Sequence, residues 1–396
     1  MHAPDQPVTE RRPELDALRA LIVVGLIFFH SAMVFDTEGD FYVKNGATTN
    51  VTAAAGPVVV WAMPLMFVIA GVGAATSLRR RGAGGFAVER VRRLGVPLVF
   101  SAFALLPLPQ WLRHRQDGST ESYLAYCRRF LDVHLSVSNL PFLVRGDEFE
   151  SGHLWFVVLL LAFSLVVALL VALVTWRALG RSSAWSESTA AVVEARPVLL
   201  LVPAFPLAAV CAVWGLEVEY GGWHRLAYLI FFAGGVVIAT DPRFRTAMRR
   251  IAAPAAWLCL PLFLASTPGF FGTDEPFTAM EPLAIWARVC YGVTGWCAVV
   301  AILGLLDRPR PAARSAVSSR RSRLTAYLGD AVLPLYVLHQ PIVVAVAYVV
   351  VARELPAVAK FVMIVAVSLT LTIAIYDLLV RRTEVTRFLF GMRPTP

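Results

Sequence analysis

The sequence predicts an all-α, polytopic membrane protein with about ten transmembrane helices. Of its 396 residues, 58% are hydrophobic and only 16% are charged, and the mean hydropathy is +0.66. A soluble chain of this length would carry closer to a quarter charged residues. Apolar runs of about eighteen or more residues recur along the whole chain, and each is long enough to cross a bilayer as a helix. We therefore expect a lipid bilayer to surround most of the protein.

Ten spans can be drawn from these apolar runs. They are predicted at 17–35, 51–78, 94–112, 153–176, 197–215, 224–240, 251–266, 282–306, 328–351 and 357–380. Pro203, Pro206 and Pro261 interrupt the fifth to seventh spans, so nine or eleven spans also fit the pattern. The first run lacks a small-residue cleavage site and is followed by the charged stretch DTEGD. We expect it to be a retained helix rather than a signal peptide.

Basic residues are concentrated in alternate connections. Connections after even-numbered spans contain RRRGAGGFAVERVRR, DPRFRTAMRR and DRPRPAARSAVSSRRSR, whereas the others hold acids, as in DTEGD and TDEPFTAMEP. With the N-terminus inside, about 26 of the 36 Lys and Arg residues fall on the inner side. We expect both termini to be cytoplasmic and the protein to span the inner (plasma) membrane. The net charge of +9 follows from this orientation and gives no reason to expect a nucleic-acid partner.

The chain is predicted to be one integral-membrane domain over residues 1–396, because no connection is long enough for a separate globular domain. It would include a cytoplasmic N-terminus (1–16), an outer loop (113–152), a cytoplasmic linker (307–323) and a cytoplasmic tail (381–396). The outer loop could form amphipathic helices at the membrane surface. The sequence has no internal repeat of the kind found in many transporters. Its five cysteines form no metal-binding or disulfide pattern, and the oligomeric state stays open.

Two ionisable residues lie in the first span. In LDALRALIVVGLIFFH, Arg19 and His30 are eleven residues apart, so they share a helix face and are separated by about 16 Å along its axis. Asp16 lies one turn before Arg19 on that face. An ionisable group within a membrane segment is a candidate for function. The alternatives are an Arg19 that extends to the interface and a His30 that only hydrogen-bonds to a neighbouring helix.

A second basic motif, ERVRRLGVPL, begins the third span. Arg90 and Arg93 are three residues apart and share a face at the inner end. With Arg19 they would place three permanent cations around one inner opening, and guanidinium groups suit phosphate oxygens. Topology alone would also place arginines there. Gly71, in the inner half of the second span, allows either close helix packing or a gap for a slender ligand.

Polar side chains also occur in two motifs of later spans. SGHLWF places His153 and Trp155 at the outer entrance of the fourth span, where Trp155 would either anchor at the interface or contact a substrate. LPLYVLHQP places Tyr336 and His339 three residues apart in the ninth span, either stabilising a kink or binding substrate. The motifs His-x4-Asp, GxSxG, Walker A and HExxH are missing, which excludes lipase, ATPase and metalloprotease functions.

Taken together, these motifs resemble those of the membrane acyltransferase 3 family. LDALRALIVVGLIFFHS is similar to the family's signature of Arg, ten residues and His, and RVRR at 90–93 is similar to its RxxR motif. MPLMFVIAG, GHLWFVVLLL and LYVLHQPIVV resemble further family blocks, so the similarity extends over nearly the whole chain. VERVRRLGVPL followed by LLPLPQW most resembles the glucan biosynthesis protein C branch, whose members add succinyl groups to osmoregulated glucans. The family's usual Ser-Gly after the second span is Ala70-Gly71 here.

The resemblance implies an enzyme, an acyl-CoA-dependent O-acyltransferase. It would move an acetyl or succinyl group from cytoplasmic acyl-CoA to a hydroxyl of an extracytoplasmic glycan or glycoconjugate. His30 matches the family's catalytic histidine, and an imidazole can either take the proton of a hydroxyl or become acylated itself. Arg19 would assist catalysis and join the donor site. The implied donor-site residues are Arg19, Arg90, Arg93 and Gly71, and the expected acceptor-site residues are His153, Trp155, Tyr336 and His339. No metal is expected.

A different class of function also fits these residues. In a proton-coupled secondary transporter or exporter of an anionic metabolite or glycan precursor, His30 and His339 would relay protons and the arginines would bind the anion. The enzyme is favoured because the predicted cations crowd one opening instead of lining both halves of the bundle. A structural subunit of a glycan-assembly complex is a third and weaker alternative.

Overall fold

The protein is built almost entirely of helices. The structure, a computed structural model, describes residues 12–46, 48–177, 182–307 and 315–393. Its α-helices, in chain order, are α1 (Pro13–Met33), α2 (Val51–Arg90), α3 (Val96–Ala104), α4 (Pro107–Gln116), α5 (Tyr123–Phe130), α6 (Trp155–Arg177), α7 (Ser182–Ala195), α8 (Ala204–Trp214), α9 (Arg225–Ile238), α10 (Pro242–Gly272), α11 (Pro282–Leu306), α12 (Ser315–Val351), α13 (Ala357–Ile375) and α14 (Glu384–Leu389). Short 3-10 turns cover Gly152–Leu154, Pro197–Leu201 and Val218–Tyr220, and π-helical turns cover Val91–Gly95 and Tyr376–Val380.

Nine helical stretches among the described residues are long and apolar enough to cross a membrane. This confirms the multi-pass helical fold class, although the predicted number was about ten. The two numbers differ because residues 53–116 count as one stretch of 64 residues where the sequence predicts two spans. Gly82 breaks that stretch with φ 69. The Ser77 hydroxyl donates to Glu89, whereas these residues would be about 18 Å apart along a straight helix. The chain therefore turns back near Gly82.

Helix packing brings the first and the later spans together. α1 contacts α12 and α13, α2 contacts α6 and α9, and α11 contacts α8 and α10. The apolar segments of α2, α11 and α12 are the most deeply buried, with about two thirds or more of each enclosed by other helices. The contact between α1 and α12 brings two ionisable motifs side by side, because each of these helices carries one of the predicted histidines.

The basic connections meet at one end of the bundle, which we call the basic end. The contacts that join them are Arg12 to Asp307 (2.8 Å), Arg245 to the same carboxylate, Arg79 to the Ala239 carbonyl (2.8 Å), Arg243 to the Glu187 carbonyl (3.2 Å) and Arg93 to the Gly391 carbonyl (3.2 Å). The first and last parts of the described chain therefore lie at the same end. That this end faces the cytoplasm stays a prediction.

Pro261 does not interrupt the seventh predicted span, so the prediction of an interruption there is wrong. α10 continues through Pro254, Pro261 and Pro268 as one helix of 31 residues. Neighbouring helices can satisfy or cover the backbone groups that a proline frees, so membrane helices tolerate prolines that would end a soluble helix. The predicted fifth span does begin with a 3-10 turn before α8, and the predicted third span is divided between α3 and α4.

The predicted outer loop, 113–152, contains α5, whose Tyr126 and Phe130 are fully buried. It also contains two short antiparallel strands, β1 (His134–Leu135) and β2 (Val144–Arg145), with His134 opposite Arg145. The all-α expectation missed this ribbon. All four strand residues are exposed, so no apolar alternation marks them in the sequence.

Other predicted segments lie partly outside the described residues. These are the N-terminus (1–16), described from residue 12, the linker (307–323) and the tail (381–396), described to residue 393. α12 begins at Ser315, inside the stretch predicted as a linker.

Residues 34–45, between α1 and α2, form a compact segment that we call the plug. Its side chains at Val34, Phe35, Asp36, Phe41, Tyr42 and Val43 are buried. The Lys44 ammonium donates to the carbonyl oxygens of Asp36 (2.8 Å) and Gly39 (2.6 Å). The Asp36 carboxylate accepts from the backbone N–H of Gly39 (2.5 Å) and of Val51 (2.6 Å). These bonds join the plug to the first residue of α2.

Replacing Asp36 by asparagine should destabilise the protein by about 2–3 kcal/mol, because a charge-assisted hydrogen bond is lost and an amide N–H₂ then faces a backbone N–H. Thermal unfolding in detergent measures the effect. Asp40→Asn is the control: its carboxylate is exposed and pairs with Arg113 at 3.1 Å, so a change below about 1 kcal/mol is expected. Equal losses in both variants would contradict the assigned role of Asp36.

Candidate active site

Three histidines from three parts of the chain meet at the end of α1 distant from the basic end. The ring centroids of His30 and His339 are 5.3 Å apart, and those of His153 and His339 are 5.1 Å apart. His30 belongs to α1, His339 to α12, and His153 to the 3-10 turn before α6. The structure thus brings the predicted catalytic histidine into contact with one predicted acceptor-site residue and close to another.

Backbone carbonyls of α12 orient two of these rings. His339 Nδ1 faces the carbonyl of Tyr336, and His153 Nε2 faces the carbonyl of Val337 at 3.0 Å. The Tyr336 hydroxyl in turn donates to the carbonyl of His153. A carbonyl can only accept, so each facing nitrogen carries the hydrogen and the other nitrogen of a neutral ring keeps its lone pair. His339 Nε2 is therefore an acceptor.

The two rings that face each other have unused nitrogens. His30 Nδ1 and His339 Nε2 are both buried and have no hydrogen-bond partner among the described residues. Buried polar atoms in proteins are nearly always hydrogen-bonded, and an unsatisfied one costs about 1–3 kcal/mol. A bound hydroxyl group could satisfy either atom, because its hydrogen can be donated to an imidazole lone pair. The pair is a suitable site for an alcohol.

Phe41 of the plug covers one face of His30. Their ring centroids are 5.8 Å apart with an interplanar angle of 17°, and Phe41 is buried. Phe29 contacts the same imidazole edge-on. Phe41 was not predicted from the sequence, because no spacing or motif points to it.

Trp155 lies in the aromatic core of the helical bundle. Only 9% of the residue is exposed, and its ring packs on Tyr228 with centroids 5.2 Å apart and near Phe67 at 6.4 Å. It is therefore not the exposed interfacial anchor weighed from the sequence. Its role in acceptor binding stays a prediction.

The three predicted arginines gather at the basic end. The Arg90 guanidinium lies over the Phe86 ring at 4.9 Å, and its Nε is buried without a hydrogen-bond partner in the described part of the chain. Arg19, Arg81 and Arg93 are all close enough for their charges to act on Arg90. Crowded guanidinium groups repel one another, so this opening favours a bound anion.

Glu89 is a residue of this opening that the sequence analysis missed. Its carboxylate accepts from the Ser77 hydroxyl at 2.5 Å and pairs with Arg81 at 3.1 Å and Arg93 at 3.7 Å. It thus joins the two helical segments that precede and follow the turn at Gly82. The spacing of Glu89 and Arg93, four residues apart on a helix, is a signal from which the pair could have been predicted.

Arg93 lies in the π-helical turn Val91–Gly95, a feature often found at functional sites. Its Nε donates to the carbonyl of Gly391 at 3.2 Å. Gly391 has φ +67, and a β-carbon there would collide with the Arg93 carbonyl oxygen. The last described segment therefore packs directly on the RVRR motif.

Gly391→Ala should displace this segment, because the left-handed conformation costs an alanine about 1–2 kcal/mol and the collision adds to that. We expect a lower unfolding temperature, measured by thermal unfolding, and several-fold weaker binding of CoA used as a phosphate-bearing probe, measured by isothermal titration. Gly118→Ala is a matched control. Gly118 has φ +94 but open space around it, so its variant carries the strain without the collision. Unchanged binding in Gly391→Ala would contradict the role of this contact.

Gly71 serves helix packing. A β-carbon at Gly71 would collide with the Phe232 carbonyl of α9, and one at Gly235 would collide with the Val68 carbonyl of α2. The two glycines thus let α2 and α9 approach closely. The predicted role of Gly71 in donor binding has no support from these contacts and stays a prediction.

Within residues 12–46, 48–177, 182–307 and 315–393, no group of three or more His, Cys, Asp or Glu side chains is placed to hold a metal ion. The two clusters instead consist of guanidinium groups at one end and imidazole rings at the other. Arg19 and His30, one from each cluster, are about 16 Å apart along α1.

The helices and these two clusters define a multi-pass membrane protein with a cluster of arginines at one end and a cluster of three histidines toward the other. A family model described as an acyltransferase domain, Acyl_transf_3, matches residues 12–377, which is most of the chain. The protein belongs to this acyltransferase 3 family, and the membership indicates a membrane acyltransferase. No curated protein and no solved structure matches the chain.

Proposed function

We propose that the protein transfers an acetyl or succinyl group from cytoplasmic acyl-CoA to a hydroxyl of an extracytoplasmic glycan or glycoconjugate across the inner membrane. One observation carries this proposal: His30 Nδ1 and His339 Nε2 are buried on facing rings and have no hydrogen-bond partner in the part of the chain that the structure describes. An acceptor hydroxyl could donate its hydrogen to either nitrogen. Arg19, on the same helix as His30, lies at the opposite end, where the donor would bind.

The basic end would hold the phosphates of the donor. Arg19, Arg90 and Arg93 are permanent cations, and guanidinium groups bind phosphate oxygens with paired hydrogen bonds. The unpartnered Nε of Arg90 is one donor available for this purpose. The pantetheine arm would then extend along α1 toward His30. The separation of about 16 Å along the helix axis is a length that such an arm can bridge.

His30 would activate the acceptor. As its imidazole takes the hydroxyl proton, the oxygen attacks the thioester carbonyl, an ester C–O bond forms and the C–S bond to CoA breaks. The proton then passes to the departing sulfur, so His30 is regenerated. His339 would line the acceptor site beside His30, with its ring oriented by the Tyr336 carbonyl, and His153 would pack against the other side of His339. In a second route His30 itself carries the acyl group before the acceptor attacks.

The acceptor class rests on the family resemblance. The motifs VERVRRLGVPL and LLPLPQW are most similar to the branch that succinylates osmoregulated glucans, which supports a glucan acceptor and a succinyl donor. The histidine pair lies at the end opposite the basic connections. If the basic end faces the cytoplasm, the acceptor approaches from outside.

The test is CoA release by the purified protein from labelled acetyl-CoA and succinyl-CoA, with and without a mixed extract of cell-surface glycans. Release that requires the extract, together with label in the glycan fraction, is the expected result. Folded protein that neither binds CoA nor releases it from any donor would contradict the proposal and favour transport of an anion.

A further inference from the structure

The plug places an aromatic side chain directly on the candidate active site. Phe41 stacks on His30 with ring centroids 5.8 Å apart. The neighbouring Tyr42 contacts Phe41 edge-on at 5.5 Å, and both side chains are at least nine-tenths buried. Any group that approaches His30 from the side of the plug must therefore move Phe41. The contacts that hold Phe41 in place therefore control which molecules reach the His30 imidazole.

A hydrogen bond between Tyr42 and Glu150 connects the plug to the segment that carries His153. The Tyr42 hydroxyl donates to Glu150 Oε1. Gly152, with φ +47, lies between Glu150 and His153, and a β-carbon there would come within 3.2 Å of the Tyr42 hydroxyl. This segment thus lies tightly against Tyr42 on one side and supplies a histidine of the cluster on the other.

Other charged groups surround the same bond. The Arg113 guanidinium lies over the Tyr42 ring at 5.1 Å and pairs with Asp40 of the plug at 3.1 Å. Burial raises the pKa of Glu150, whereas the Tyr42 hydroxyl and Arg113 act in the opposite direction. Glu150 can accept from Tyr42 whether ionised or neutral, because a protonated carboxyl keeps a carbonyl oxygen.

We propose that Glu150 is a positioning residue that, through the Tyr42 hydroxyl, holds Phe41 on His30 and closes the outer approach to the histidine cluster. This inference rests on the proposed function, because closure matters when water competes with an acceptor hydroxyl for the acyl group. Excluding water until the acceptor arrives prevents hydrolysis of the donor. We call Phe41, Tyr42 and Glu150 the latch. The acceptor itself displaces Phe41, so the latch also selects against acceptors that make too few contacts to open it.

Four variants of the full-length protein separate the latch from its surroundings. Tyr42→Phe removes one oxygen atom and keeps the ring, and Glu150→Ala removes the acceptor. Glu150→Gln keeps an amide oxygen in the same place and should restore the latch. Glu148→Ala is the matched control, because this carboxylate two residues away pairs with His114 and Arg129 rather than with the plug.

The first readout is the rate at which diethyl pyrocarbonate modifies His30, resolved by mass spectrometry. Loss of a hydrogen bond to a buried carboxyl group should raise the open population, and with it the rate of His30 modification, about tenfold in Tyr42→Phe and Glu150→Ala. Glu150→Gln and Glu148→Ala should stay close to wild type. If Glu150→Ala does not fold, Tyr42→Phe decides. An unchanged rate in folded Tyr42→Phe would overturn the proposal.

The second readout is the ratio of acceptor-independent acyl-CoA hydrolysis to acyl transfer. Tyr42→Phe should raise hydrolysis relative to transfer, whereas a merely destabilised enzyme would lose both together. The modification rate requires no catalytic activity. A wild-type protein with no hydrolysis and no transfer would therefore refute the proposed function, while the His30 modification rates would still decide the latch.

Discussion

His30→Ala is expected to lower acyl transfer by about 10²–10⁴-fold, the usual contribution of a positioned acid–base group. The His30 ring faces His339 with an unused nitrogen, so its removal takes away the group that would accept the acceptor's proton. The protein should still insert and fold, since removing a polar group from a membrane helix favours insertion. Transfer of labelled acyl groups by purified protein measures the effect.

His134→Ala serves as the control for this experiment. His134 lies in the exposed ribbon of the outer loop and touches none of the three clustered histidines. Its variant should keep wild-type turnover. Full turnover by His30→Ala, with the variant shown to be folded, would be incompatible with both chemical routes proposed for this residue.

Arg90→Ala and Arg93→Ala should each weaken acyl-CoA binding by about 10- to 100-fold, because each removes charge-assisted hydrogen bonds to phosphate. In Arg90→Ala the unfolding temperature should change little, because relief of the repulsion from Arg93 and Arg19 is offset by the lost attraction to Glu89. Titration of detergent-solubilised protein with CoA provides the dissociation constants, and thermal unfolding provides the stability.

Arg92→Ala is a control within the same turn. Arg92 is exposed, whereas its neighbours Arg90 and Arg93 are partly buried, so the three substitutions remove the same charge at different positions. A nonspecific attraction between the basic end and CoA would make all three variants equally weak. If Arg90 and Arg93 bind the phosphates specifically, Arg92→Ala should bind CoA nearly as well as the wild type.

Much of the fold was predictable because a bilayer imposes strong rules on composition. Long apolar runs locate helices, and the distribution of arginines correctly groups the connections that meet at one end. Proline was misleading in α10, because tolerance of Pro261 depends on neighbouring helices that the sequence does not show. The ribbon at β1 and β2 was missed since its exposed residues have no apolar pattern.

The sequence predicted individual residues of the candidate site but not the contacts between them. His30, His153 and His339 each stand out as polar groups in apolar motifs, but their contact depends on the packing of α1 against α12. Glu89 could have been inferred from its helical spacing to Arg93. Phe41 and Tyr42 could not, because the plug buries its side chains through contacts with distant elements rather than through any local periodicity.

The central claim is that an acyl group passes from the basic end to a hydroxyl at the histidine end. Proteoliposomes with a defined orientation test it, with labelled acyl-CoA supplied at only one face and the glycan extract at only the other. We expect labelled ester on the glycan when the donor is at the basic face and the acceptor at the opposite face, and we expect this label to be lost in His30→Ala. Transfer that occurs only when donor and acceptor share one face would contradict the account.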